Sequence, residues 1–182
     1  MGMSLTVPRY TVSDLERFPD DGNRYELLDG MLIVTPSPRL RHQAIVSRIA
    51  AYFVNAVQGA GHAMVFTPGA ISAPPRTQLE PDVLVVPARF TIASEWADVT
   101  EHWLAIEVLS RSTRVYDREY KRDAYLDLGV REVWLVDPQR KCVDTTQARG
   151  RMQTSHDIVE WSHPGVPVTV AINLPDVFAG LP

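Results

Sequence analysis

"LAIEVLS", Leu104–Ser110, sets a glutamate in the middle of an apolar run. Five of its seven residues are apolar, and a short run of this kind reads as a buried strand. An ionised carboxylate in a dry strand costs on the order of several kcal/mol unless something neutralises it. Glu107 therefore marks a strand end that reaches solvent, an arginine partner, or a site. The neighbouring segments narrow the choice.

Upstream, "PDVLVV" (Pro81–Val86) is a second apolar strand opened by a proline and an aspartate. Downstream, "EVWLVDP" (Glu132–Pro138) is a third, ended by its proline. Between them "STRVYDREYKRDAYLDLG" (Ser112–Gly129) reads as a helix. It places Tyr116, Tyr120, Ala124 and Leu128 on one stripe, and Gly129 stops it. Near the start, "TVSDLERFP" (Thr11–Pro19) reads as a short helix capped by Ser13. "RYELLDGMLIVTPSP" (Arg24–Pro38) reads as a hairpin turning at Asp29-Gly30. Ser37-Pro38 then opens a longer helix as cap and first residue. Ile45, Ile49, Tyr52, Phe53 and Ala56 form its apolar face, and Gly59 and Gly61 end it.

A strand at about residues 64–67 is separated from the Asp82 strand by a proline-rich loop, "APPRTQLEP". "KCVDTT" and "RMQTSHDIVEW" read as a polar antiparallel hairpin extension. "VPVTVAINLPDVF" closes the chain with a strand and a short turn. The order of elements implies a single α/β (mixed α+β) domain over residues 1–182, built around one apolar sheet.

Asp82 and Glu107 open and occupy neighbouring strands of that sheet. Side by side they repel each other. A hard divalent cation between them turns the repulsion into binding. Magnesium takes such a site, with one or two carboxylates, a carbonyl and several waters. Bound there, it can polarise a phosphoryl oxygen and activate water.

The blocks "YELLDG", "PDVLVV", "IEVLSRST", "DREYKRDAYLDLGVREVWLVDP" and "LPDVF", in this order, resemble the Uma-type restriction endonuclease family of the PD-(D/E)XK nuclease superfamily. The resemblance runs from Arg24 to Phe178. It implies a restriction-endonuclease-like mixed β-sheet flanked by helices, and Mg²⁺- or Mn²⁺-dependent cleavage of DNA. It also implies Asp82 and Glu107 as metal ligands, with Val108 lending its backbone carbonyl. The superfamily lysine belongs two residues after the glutamate, but Leu109 stands there. The family's substitute lies on the next helix, where the matching residue is Lys121, and Tyr125 shares its helical face. Glu26, in "YELLDG", is a third carboxylate at a matching position.

Each residue also has a plainer reading. Lys121 stands four residues after Asp117, the spacing of an exposed ion pair. Glu26 can be a hairpin residue paired with Arg24. His42 lies near the apolar face of the first long helix, either as a core histidine or at the carboxylate end of the sheet. Trp96, Trp103, Trp134 and Trp161 read as core or interface anchors. No nucleophile elbow and no phosphate-cradling glycine loop occurs.

Composition bounds the class. Of 182 residues, 45% are hydrophobic and 22% charged, as in ordinary globular domains. The net charge of −4 gives no broad basic footprint. Arg111, Arg114, Arg118, Lys121 and Arg122 nevertheless cluster, and only Lys121 and Lys141 are lysines. The single cysteine, Cys142, makes neither a disulfide nor a zinc site alone. No apolar run reaches membrane length and the first residues lack a signal-peptide core, so a cytoplasmic protein is expected. DNA is the expected partner, and a homodimer is expected because duplex cleavage needs two sites, with the edge around "KCVDTT" as contact. Two other readings stand beside the nuclease: a nucleic-acid-binding module of the same fold without turnover, and a non-catalytic oligomerisation domain with arginine-paired carboxylates.

Overall fold

The computed structural model of the chain describes residues 8–90, 95–110, 120–148 and 150–180. The chain opens with α1 (Val12–Leu15). Its cap is Thr11, not Ser13: the Asp14 carboxylate accepts from the Thr11 backbone N–H at 2.8 Å and from its hydroxyl at 2.7 Å. β1 (Arg24–Leu28) and β2 (Met31–Thr35) form the expected hairpin. Asp29 (φ 49°) and Gly30 (φ 78°) both adopt the left-handed backbone that a two-residue turn between twisted strands requires.

α2 (Leu40–Phe53) begins later than the Ser37-Pro38 signal suggests, with Arg39 as its cap residue. The Ser37 hydroxyl donates instead to the Gly22 carbonyl, tying the loop to the chain before β1. A π-helical turn, Val54–Gln58, extends the helix. β3 (Ala63–Phe66) follows. The proline-rich segment read as a loop then contains a small hairpin, β4 (Ile71–Ala73) and β5 (Thr77–Leu79). Strands of three residues carry too little alternation to be seen beside Pro74 and Pro75.

β6 (Val83–Pro87) and β7 (Leu104–Val108) are buried throughout. α3 (Arg122–Asp127) and β8 (Glu132–Asp137) complete the central unit, and Gly129 (φ 87°) makes the turn between them. β9 (Cys142–Gln147), β10 (Gln153–Ser155), β11 (Ile158–Trp161), β12 (Val170–Asn173) and α4 (Leu174–Val177) finish the chain.

The main sheet has six strands in the order β10-β9-β8-β7-β6-β3. β7 and β8 are parallel and the other pairs antiparallel, so the sheet is mixed. A second sheet, β2-β1-β5-β4, carries the first hairpin, and β11 pairs with β12. β9 is no polar extension. Cys142, Val143, Asp144 and Thr146 are buried, and β10 takes the edge. A dimer contact through "KCVDTT" would therefore meet an interior strand.

Strand alternation sends Val83, Val85, Leu104 and Ile106 to one face, against Ile45, Ile49 and Phe53 of α2. Phe53 meets the Trp134 and Trp161 rings at 5.8 and 5.6 Å, so these tryptophans are core anchors. Leu84, Val86, Ala105 and Leu109 belong to the opposite core, with Tyr125, Val133 and Leu135. Each fully buried aliphatic side chain contributes about 1.5–3 kcal/mol, which lets the sheet tolerate a few buried charges. The expected helical stripe is corrected here. Tyr120 is 54% exposed, whereas Lys121 and Tyr125 are buried; Tyr116 lies outside the described residues. No helix among the described residues is long and apolar enough to cross a membrane.

Candidate active site

β6 and β7 pair with Val83 opposite Ile106. Extending that register by one position sets Asp82 opposite Glu107. The Val108 amide donates to Asp82 Oδ2 at 2.8 Å, so the aspartate closes over the end of β7. Gly69 fixes this approach: its N–H donates to the Pro81 carbonyl at 3.2 Å. A Cβ on Gly69 would lie 2.5 Å from Leu84 Cβ, so no larger residue fits without movement.

Asp82 has three neighbours. Arg24 Nη1 lies 3.2 Å from Oδ1, His42 Nε2 lies 3.0 Å from Oδ2, and the Val108 amide shares that second oxygen. Burial pushes its carboxyl up, but the His42 hydrogen bond and charge, with Arg24 and the Val108 amide, hold it below the usual range. Asp82 is thus ionised, and His42 donates through Nε2. The other ring nitrogen, Nδ1, is buried without a hydrogen-bond partner among the described residues. His42 therefore belongs to the carboxylate end of the sheet.

Glu107 and Glu26 share Lys121. The Nζ lies 3.0 Å from Glu107 Oε1 and 2.8 Å from both Glu26 oxygens. Lys121 is 1% exposed, so the reading as a solvent-facing partner of Asp117 fails on burial; Asp117 itself lies outside the described residues. Tyr125, one helical turn on, donates to the same Glu107 oxygen at 2.6 Å. Burial, then the Glu107 and Glu26 charges, raise the Tyr125 pKa well above its ordinary value and keep the phenol a donor. Glu26 also accepts from the Glu80 amide at 2.7 Å. Leu109, in the superfamily lysine position, is buried in the core.

Two members go beyond the sequence reading, which took Arg24 only as a partner of Glu26. Arg24 bridges Asp82 and Glu26, with Nε 3.5 Å from Glu26 Oε2. Burial opposes its charge, but Glu107, Glu26 and Asp82 raise its pKa. The signal was present in strand alternation, which places residues 24 and 26 on one face. Glu80 is the other. Its pKa is raised, first by burial and then by Glu26.

The described cluster therefore gathers Glu26, Glu80, Asp82 and Glu107 against Arg24, Lys121 and His42. Ionised, it is net negative. Among the described residues no group of three or more His, Cys, Asp or Glu side chains is arranged to hold a metal ion. The donor set expected from the sequence is the Asp82 and Glu107 carboxylates, hard oxygen ligands at facing positions of the extended β6–β7 register. That chemistry fits magnesium or manganese, which take one or two carboxylates and retain waters. The Val108 contact observed is its amide on Asp82.

In structure the chain is similar to a protein from Anabaena variabilis described as "a putative nuclease belonging to DUF820". The TM-score is 0.76 at 18% identity, covering 92% of this chain and 97% of that one. The likeness supports the restriction-endonuclease-like fold expected from the sequence. No curated protein matches the chain. The model of the Uma2 family, described as "Putative restriction endonuclease", matches residues 12–175. With its mixed sheet and this match over nearly its whole length, the chain belongs to the Uma2 family of restriction-endonuclease-like proteins.

Proposed function

We propose that the chain is a divalent-metal-dependent endonuclease that hydrolyses DNA phosphodiester bonds. Lys121 carries the reading: a fully buried ammonium delivered from α3 to Glu107, where the superfamily position holds Leu109. The loss of lysine from that position then does not imply loss of turnover.

Asp82 and Glu107 would hold Mg²⁺ or Mn²⁺. When bound, the cation supplies Lewis-acid polarisation of a phosphoryl oxygen and lowers the pKa of water. The chain's own residues do the rest. Lys121 offers a compact positive charge toward the phosphoryl group, a contact strengthened in a site shielded from water. Glu26 grips Lys121 with both oxygens and orients it. Tyr125 fixes Glu107 from the other side. His42 and Arg24 keep Asp82 ionised and turned toward β7. A homodimer would present two such sites to the two strands of a duplex.

One observation favours the non-catalytic reading. Arg24 does pair with two of the buried carboxylates, as a purely structural cluster would require.

The test is cleavage of supercoiled plasmid with Mg²⁺ or Mn²⁺. The wild type should nick or linearise it, and EDTA should stop the reaction. Lys121→Arg should reduce the rate by about 10²–10³-fold, because a planar guanidinium does not replace a compact ammonium. A folded wild-type protein that leaves plasmid, linear duplex and single-stranded DNA intact with either metal would remove the nuclease assignment.

A further inference from the structure

A cleft of about 420 Å³ opens beside the carboxylate cluster. It lies within the range of about 300–1,000 Å³ usual for small-ligand sites. One wall is aromatic: the Phe18 and Tyr25 rings stack at 4.9 Å and 15°. The pair is held in place, since Tyr10 meets Phe18 edge-on at 5.5 Å and the Tyr25 hydroxyl donates to Asp21 at 2.9 Å. Asp20, Asn23 and Gln78 line other parts of the cleft, and Arg24 and Glu80 border the cluster. Phe18, Asp20, Asn23, Tyr25 and Gln78 take no part in the proposed metal and lysine machinery. Arg24 and Glu80 join the two regions, Arg24 through its contact with Asp82 at 3.2 Å and Glu80 through its amide on Glu26 at 2.7 Å.

We propose that this cleft is a subsite for one unstacked nucleobase with an amino group at the 6-position of a purine or the 4-position of a pyrimidine, adenine or cytosine, in the nucleotide next to the scissile phosphate. The charges sort the ligand. Among the described residues Arg24 is the only cation in the lining, so a phosphate belongs at that end, beside Asp82. Asp20 and Glu80 repel phosphate elsewhere in the cleft, and a carboxylate accepts from an amino group. Asn23 and Gln78 carry the paired donor and acceptor that read an adenine edge. The ring pair supplies the flat apolar surface on which a base stacks. A base in the cleft has left its duplex, so the substrate strand is single-stranded or locally opened there.

This inference rests on the nuclease reading for its biological meaning, but its test does not need turnover. The full chain with Ca²⁺ is titrated with dAMP, dCMP, dTMP and deoxyribose 5-phosphate, and affinities are read by calorimetry. The base-bearing nucleotides should bind about tenfold more tightly than the sugar phosphate, with dAMP and dCMP ahead of dTMP. Phe18→Leu should shrink the advantage of every base. Gln78→Ala should shrink the advantage of dAMP and dCMP over dTMP. Thermal melts verify that each variant is folded, and either variant alone suffices. Equal affinity for all four ligands, no binding by any, or wild-type preferences in the folded variants would overturn the subsite. Failure of plasmid cleavage with these preferences intact would remove the nuclease reading and keep the nucleotide site.

Discussion

Lys121 shows how far one residue's meaning depends on burial. As an exposed partner of an acid four residues earlier, its loss would cost a few tenths of a kcal/mol. Buried between Glu26 and Glu107, it neutralises two carboxylates that otherwise face each other without water. Lys121→Met should therefore destabilise the protein by about 3–5 kcal/mol in metal-free buffer, measured by urea melts. The same geometry bears on Glu107 without metal. Glu107 is not simply one of two repelling acids, because it holds Lys121 and the Tyr125 hydroxyl, so Glu107→Gln should destabilise too. Adding Glu26→Gln and Glu107→Gln to Lys121→Met should recover most of the lost stability, since no buried charge is then stranded. A Lys121→Met protein as stable as wild type would show that the ammonium has no structural share in the cluster. Asp82 and Glu107 were legible as site candidates from residue type and order, and Lys121 through the family resemblance. The Arg24 contact to Asp82 was not, and His42 was legible only as one of two alternatives, because their contacts to Asp82 join residues far apart in sequence and depend on how β1 and α2 lie over the strand ends.

Elements were legible where hydrophobic period and turn chemistry agreed. The first hairpin, β6, β7, β8 and the Gly129 stop fall where the pattern places them. The β4–β5 hairpin escaped because three-residue strands have no period to read, and β9 was misjudged because its buried polar residues find partners inside the fold. Asp144, for example, accepts from Thr154 at 2.6 Å and from Arg140 at 3.2 Å. Gly69 escaped for a different reason, since only the packed structure shows how closely it passes β6. Gly69→Ala should push Leu84 aside and cost about 1–3 kcal/mol. It should also impair any activity that depends on Asp82, through the Pro81 contact. Unchanged stability and activity would mean that β6 yields freely. The segment before β7 holds a pH-sensitive group. His102 is 5% exposed, and burial lowers its pKa below the ordinary 6.5. Its Nε2 is buried without a hydrogen-bond partner among the described residues. The unfolded chain thus binds the proton more readily than the folded one. The stability this contributes is complete above pH 6.5 and is lost as pH falls through the lowered folded value. His102→Gln should flatten the stability profile below pH 6.5, and melts across that range that run parallel to wild type would refute it.

At the scale of the whole molecule, an acidic protein of net charge −4 is proposed to act on a polyanion. The described part of the site sharpens the problem, with four carboxylates against Arg24, Lys121 and His42. A scissile phosphate brought to this cluster without a cation meets repulsion in a poorly screened environment. DNA affinity in EDTA should therefore be weak and should fall further with added salt. Ca²⁺ should raise it by about tenfold or more, the equivalent of ~1.4 kcal/mol of recovered electrostatics. Asp82→Asn gives the discriminating result, because it changes two quantities in opposite directions. Removing one negative charge should strengthen binding in EDTA, while removing one proposed ligand should abolish the gain from Ca²⁺. A purely structural carboxylate predicts neither change, and a cluster that merely repels DNA predicts only the first. Fluorescence anisotropy of a labelled duplex, with and without Ca²⁺ at constant ionic strength, separates these cases. Equal Ca²⁺ responses in wild type and folded Asp82→Asn would show that the cation acts elsewhere, and the case for Asp82 as a metal ligand would be lost.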